Sequence, residues 1–208
     1  MTEAVKARGS HQPKNYCDQG GNREVFGGNV LFASGVVVKT EDGLGAVGTG
    51  VTAVEKVPQV HQTVLTLANT VTLTDATTNG NEGSAVIYTF PVGNILILGA
   101  VSDLVLTAGS GGITDTAAVV SSLGSVAAAA DATLTGTEAN IIPSTTSTLT
   151  GGIGAMNGQS TAPVTLDGTA SAAVCRLNLA VPDAGSSAND TMVATGTVTL
   201  TWVNLGDN

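Results

Sequence analysis

Two histidines, two cysteines and a scatter of acids are the side chains in this 208-residue sequence that could do chemistry, and their spacing excludes most of it. His11 and His61 stand apart, and no G-x-S-x-G elbow, H-E-x-x-H pair or Cys/His cluster accompanies either. A serine hydrolase and a zinc site therefore both lack their parts, and both histidines are read as solvated. The stretch GLGAVG at residues 43–48 has the G-x-G-x-x-G spacing that lets a backbone approach a pyrophosphate. The next residues, TGVTAVEKVP, are rich in β-branched side chains, contain another glycine and run into Pro58, so no helix N-terminus is expected to hold a phosphate. A glycine-rich hinge is the reading there.

Paired carboxylates can cleave a glycosidic bond without histidine. Asp75 and Glu82 flank one turn, and Asp183 and Asp190 flank the loop PDAGSSAND; acids so placed are read as ordinary surface residues. The loop DATTNGNEG offers oxygen ligands but lacks the alternating acids of a calcium loop. In AAVCRLNLAV, Cys175 alternates onto the more apolar side of a strand, which predicts a buried, inert thiol, with a bridge to Cys17 as the alternative. No catalytic, metal-binding or cofactor-binding residue is assigned, and an enzyme is not expected.

Charge divides the chain. Beyond residue 56 the only base is Arg176, set against ten acids, a balance of −9. Earlier residues are near neutral, with six bases meeting six acids. A body so acidic repels phosphate backbones, which argues against nucleic acid as a partner. Charged residues make up only 11% of the chain and hydrophobic residues 42%, so Thr, Ser, Asn and Gly must supply much of the surface. Mean hydropathy is +0.30, yet the densest apolar run, ILILGAV at 95–101, is too short to cross a membrane as a helix, and no membrane partner is expected. The opening MTEAVKARGSHQPKN has no apolar stretch after its charges, so no signal peptide is read there and assembly in a cytoplasm is expected.

The elements that would carry these residues are strands. Residues 1–60 hold Tyr16, Phe26 and Phe32 among many glycines and predict an extended arm with short strands, best at 31–38 and 51–57. From 61 to 208 period-two alternation predicts a folded body. In the last strand Gly196, Val198, Leu200 and Trp202 share one face while Thr195, Thr197, Thr199 and Thr201 share the other. TVLTLANTVTLTD at 63–75 behaves similarly. SAVIYTF at 84–90 places Val86, Tyr88 and Phe90 together, with TNGNEG before it as a turn. Ile95, Leu96, Ile97 and Leu98 face both ways, as expected of a strand covered on both sides by a second sheet or a neighbouring subunit. The alanine run at 126–132 is the one candidate helix. Recurring Thr-Leu-Thr triplets raise a β-solenoid, but their spacing is irregular. The expected fold is all-β, a β-sandwich or jelly roll with an extended, glycine-rich N-terminal arm.

Three segments, IYTFPVGNILILGAVSDLVLTAGSGGITD, SLGSVAAAADATLTGTEANIIPSTT and LNLAVPDAGSSANDTMVATGTVTLTWVNLGD, resemble the jelly-roll decoration or cement proteins of tailed-bacteriophage capsids. The resemblance covers roughly residues 60–208 and rests on the order and texture of segments. It implies a body that forms homotrimers on the capsid surface of the virion, bound to the major capsid protein, and an arm that holds shell proteins together. Shell-contact candidates are Tyr16, Phe26 and Phe32 as anchors and Lys6, Arg8, Lys14 and Arg23 as cations; Ile95, Leu96, Ile97 and Leu98 are candidates for the trimer contact. A virion fibre or receptor-binding head that recognises host glycan is the alternative. It would need exposed aromatics, whereas alternation assigns Tyr88, Phe90 and Trp202 to apolar faces.

Overall fold

The computed structural model describes residues 15–17, 24–26, 46–56, 60–75, 80–109, 112–129, 133–181 and 190–206. The chain divides into two units, 1–39 and 40–208. In the first, β1 (Asn15–Cys17) pairs antiparallel with β2 (Glu24–Phe26), Asn15 lying opposite Phe26.

The second unit is a two-sheet sandwich. Its strands are β3 (Ala46–Val47), β4 (Val51–Lys56), β5 (His61–Thr72), β6 (Thr74–Asp75), β7 (Asn81–Thr89), β8 (Gly93–Ala108), β9 (Ala118–Gly124), β10 (Ile142–Thr148), β11 (Ile153–Gln159), β12 (Val164–Gly168), β13 (Val174–Val181) and β14 (Thr191–Asn204). The first sheet runs β10-β9-β13-β7-β3 with β6 beside β7, and the second runs β11-β8-β14-β5-β4 with β12 beside β8. All pairings are antiparallel.

Without the short flanking strands β3, β4, β6 and β12, the chain order β5, β7, β8, β9, β10, β11, β13, β14 places first, eighth, third and sixth in one sheet, and second, seventh, fourth and fifth in the other. That is jelly-roll order, two Greek keys folded together. It excludes the solenoid, whose neighbouring strands would succeed one another in sequence. The sandwich also begins earlier than the expected division at residue 60, because β3 and β4 pair with β7 and β5.

Alternation builds the core. Along β5, His61, Thr63, Leu65, Leu67, Asn69 and Val71 turn inward while Thr and Gln residues turn out. On β14 the inward set is Met192, Ala194, Val198, Leu200 and Trp202, as expected from its threonine pattern. Register shifts break the alternation elsewhere, two of them at residues singled out by the sequence. On β7, Cys175 opposes Tyr88 but Arg176 opposes Val86, so Ile87 is the extra residue; Ile87, Tyr88 and Phe90 are all buried and Val86 is only half-buried. The expected grouping of Val86 with Tyr88 and Phe90 is corrected by that insertion.

On β8, Ile97 opposes Trp202 and Gly99 opposes Thr201, leaving Leu98 unpaired on the bulge. Inward positions pass from Ile95 and Ile97 to Ala100, Ser102, Leu104 and Leu106. Only one side of this strand is covered by the other sheet. Ile95 and Ile97 belong to the sandwich's own core and have no free surface for the expected trimer contact, whereas Leu96 is half-buried and Leu98 is exposed on the outer side.

The final glycine of GLGAVG has a structural reason. Gly48 lies in the turn from β3 to β4, and a Cβ there would sit 1.7 Å from the Val86 carbonyl oxygen. Gly43 and Gly45 lie outside the described residues.

Candidate functional site

The described residues singled out by chemistry, Cys175, His61, Asp190 and Glu82, are all buried in the sandwich. Burial leaves Cys175 fully enclosed and pushes its thiol up to about 12, so the inert reading holds. His61 is not solvated: the inward register of β5 buries it to 8% exposure, and its ring lies 4.1 Å from Trp202 at 12°. Its Nδ1 is buried without a hydrogen-bond partner. Trp202 Nε1 donates to Thr63 Oγ1 at 2.9 Å, and Phe90 and Tyr88 complete the aromatic cluster. His11 lies outside the described residues.

Two of the turn acids, Asp190 and Glu82, likewise depart from the surface reading. Asp190 is 2% exposed, its Oδ1 accepts the Gly112 N–H at 2.6 Å, and its carbonyl accepts the Leu73 N–H at 2.8 Å. It ties the start of β14 to two neighbouring connections. Glu82 is buried on β7. Asp183 lies outside the described residues, as does the side chain of Asp75.

Sequence reasoning missed Glu138, which organises the connection from β9 to β10. Its Oε1 accepts the Ala129 N–H at 2.6 Å and its Oε2 the Thr135 N–H at 3.0 Å. From the sheet below, Asn178 Nδ2 donates to the carbonyls of Val126 at 2.9 Å and Glu138 at 2.7 Å, and Ser122 Oγ donates to the Glu138 carbonyl at 2.7 Å. Ala128 N–H donates to Ser84 Oγ at 2.8 Å and to Asn178 Oδ1 at 3.2 Å, and Ser84 also donates to Asn178. These bonds explain why residues 126–129 are not helical. The Ala128 and Ala129 N–H groups are taken by side chains instead of carbonyls one turn back, so alanine propensity loses. The only helical turn among the described residues is the 3₁₀ turn Gly136–Glu138. The signal for this clamp was Thr135-x-x-Glu138, the spacing of a capping box.

The described parts of the connection thus lie over Asn178, Ser122 and Ser84 on the outer side of the first sheet. The outer side of the second sheet is different. One cross-strand row there runs Val64, Thr199, Val101, Gln159, and another runs Ala68, Thr195, Val105, Ala155. Val101 is 55% exposed and Ile153, at the end of a third row with Thr107 and Val193, is 52% exposed. Among the described side chains the only charges on this side are Asp103 on β8 and Asp167 on β12. Asp167 is engaged in its own turn, accepting the Thr169 N–H at 3.0 Å and its hydroxyl at 2.7 Å, and these bonds hold its carboxyl below the usual range.

Two open depressions accompany these features. One of about 410 Å³ lies between Asn140, Thr137 and the 165–174 segment, and one of about 300 Å³ lies beside the β8 bulge between Gln62, Thr201 and Gln159. Asp167 is the only titratable side chain in either lining, and neither brings an acid and a base together. No group of three His, Cys, Asp or Glu residues is placed to hold a metal ion among the described residues, and no helix of theirs is long and apolar enough to cross a membrane.

Of the shell-contact candidates, Tyr16 lies on β1 and Phe26 on β2, with their side chains undescribed; Phe32, Lys6, Arg8, Lys14 and Arg23 lie outside the described residues. Comparison with family models, with curated proteins and with solved structures finds no match.

Proposed function

We propose that the chain is a structural virion protein that decorates and stabilises a bacteriophage capsid by binding its major capsid protein. The observation that carries this reading is the jelly-roll body, whose second sheet presents an outer side of mainly Val, Thr, Ala and Gln, with Asp103 and Asp167 the only charges among its described side chains. Such a body is built to pack. The resemblance of its segments to decoration proteins supports the same assignment. A glycan-binding head is disfavoured, because Tyr88, Phe90 and Trp202 are each at most 1% exposed and present no ring to a sugar.

In this reading the arm grips the shell, with Tyr16, Phe26 and Phe32 as anchors. Ordering such a segment costs about 1–2 kcal/mol per residue, so anchors that bury well must offset it. The test is co-sedimentation of the full chain with undecorated capsids. The intact chain is expected to pellet with the shells, Phe26→Ala with Phe32→Ala to weaken this at every salt concentration, and neutralising Lys6, Arg8, Lys14 and Arg23 to weaken it mainly at low salt. A chain that stays in the supernatant would overturn the assignment, and undiminished binding by the aromatic variant would overturn the role of the arm.

A further inference from the structure

We propose that Asn157 is a latent deamidation site, held closed in the folded sheet by Ser102 and opened when β11 parts from β8. The proposal does not depend on capsid attachment.

The sequence supplies the chemistry. Asn157 is followed by Gly158, and the chain has one other Asn-Gly pair, Asn79-Gly80. Because glycine leaves the backbone free to bend and puts no side chain in the way, the Gly158 nitrogen can reach the side-chain carbonyl carbon of Asn157 in an open chain. Attack there forms the new C–N bond of a succinimide ring. The bond from that carbon to the side-chain amide nitrogen breaks, and the proton lost by the Gly158 nitrogen leaves with it as ammonia. Water then opens the ring at either carbonyl and leaves Asp or isoaspartate at 157. The net change is one water consumed and one ammonia released.

The fold withholds the nucleophile. On β11 Asn157 is exposed, and Gly158 lies opposite Ser102 of β8. Ser102 is 3% exposed; its Oγ accepts the Gly158 N–H at 3.0 Å, and its hydroxyl lies 3.4 Å from the Gly158 carbonyl oxygen, to which it donates. One hydroxyl thus holds both polar groups of the residue whose nitrogen would have to turn. The extended strand adds to this, because side chains stand out of the sheet while the backbone nitrogens lie in its plane.

Packing and charge fit the same pair of residue types. A Cβ at Gly158 would lie 2.7 Å from Cγ2 of Ile142, which is buried in the core, so glycine is required by packing. Opposite Asn157 stands Asp103, also exposed. Residues so paired have Cβ atoms about 4.5–5.5 Å apart, and like charges there are destabilising. A neutral amide suits the position, whereas its conversion sets a second carboxylate against Asp103. Isoaspartate also inserts a backbone methylene into β11. A chain whose β11 opens is therefore marked irreversibly, and the closed sheet is spared.

The test is peptide mapping by mass spectrometry of the full chain, incubated at mildly alkaline pH in buffer and in urea. In urea Asn157 is expected to convert at a rate similar to Asn79. In buffer it should convert at least about a hundredfold more slowly, and Ser102→Ala should recover about tenfold of that, with near-ultraviolet circular dichroism certifying the fold. Asn157→Asp should speed exchange of the Gly158 amide by up to about fivefold at low salt and by less at high salt. No conversion at Asn157 in urea would overturn the site, and a rate in buffer equal to that in urea would overturn its closure. An unchanged rate in folded Ser102→Ala would overturn the role of Ser102, and unmoved exchange in Asn157→Asp would overturn the conflict with Asp103. If Ser102→Ala does not fold, the native chain in low urea decides. Conversion at Asn157 should rise in step with exchange of the Gly158 amide, and conversion independent of that exchange would overturn the proposal.

Discussion

The His61 ring lies parallel to the Trp202 indole, 4.1 Å away, on neighbouring strands whose inward positions face each other at one end of the core. The stack joins β5 to β14, and the indole N–H is satisfied by Thr63 from the same strand as the histidine. A single tryptophan is thereby packed between a histidine, a phenylalanine and a tyrosine with no exposed surface.

Truncating Trp202 to Ala removes the centre of that cluster and should cost about 3–5 kcal/mol in chemical denaturation. Trp202→Phe keeps most of the volume but takes the indole donor away from the Thr63 hydroxyl, and should cost less. Native emission should be blue-shifted and poorly quenched by acrylamide. A solvent-like emission maximum would contradict the register of β14.

Glu138→Ala should leave the Ala129 and Thr135 amides without their acceptor and cost about 1–3 kcal/mol. The loss should be local first. Amide exchange in residues 125–140 should accelerate before that of β13 and β14. Uniform acceleration across the sandwich would show that the connection is not a separable clamp.

The buried Cys175 thiol predicts both reactivity and alkaline behaviour. With Cys17 replaced by Ser, the native protein should resist thiol reagents at pH 8 and label only on unfolding. Its folded-state value is raised to about 12, so above the ordinary thiol range near 9 the unfolded chain gives up this proton first. The contribution to stability is therefore complete below about pH 9 and is lost as pH rises towards 12. Cys175→Ala should flatten that alkaline slope; an unchanged slope would assign it to other groups.

Gly48→Ala should destabilise the turn between β3 and β4, because its Cβ would meet the Val86 carbonyl oxygen at 1.7 Å. Forcing that contact apart should cost about 1–3 kcal/mol, as overpacking does. A neutral substitution would contradict the close approach of the turn to β7.

The all-β sandwich class and the register of β14 were legible because they depend on local alternation: Thr195 to Trp202 states which side is wet without reference to any other strand, whereas the jelly-roll strand order is a long-range pairing. The bulges at Ile87 and Leu98 were not, since one extra residue is defined only against the partner strand. His61 was misjudged because it begins a strand, and only the inward set Thr63, Leu65 and Leu67 reveals its side. The clamp was hidden for a related reason. Glu138 shows its capping spacing, but Asn178, 40 residues further on, closes the network only once β13 lies beneath it. Alanine propensity at 126–129 pointed to a helix, and side-chain acceptors from elsewhere in the chain outcompeted it. For the surface, composition foretold a threonine-rich, weakly charged exterior, whereas the covering of Asn178 and Ser122 depended on where residues 126–129 and 138 come to lie.

The most direct test of the proposed role is a cryo-electron reconstruction of a virion that contains this protein. The account predicts jelly-roll density on the outer surface of the capsid shell, with additional chain reaching from it along the major capsid protein. Density confined to the tail or a fibre tip, or none on the particle, would contradict it.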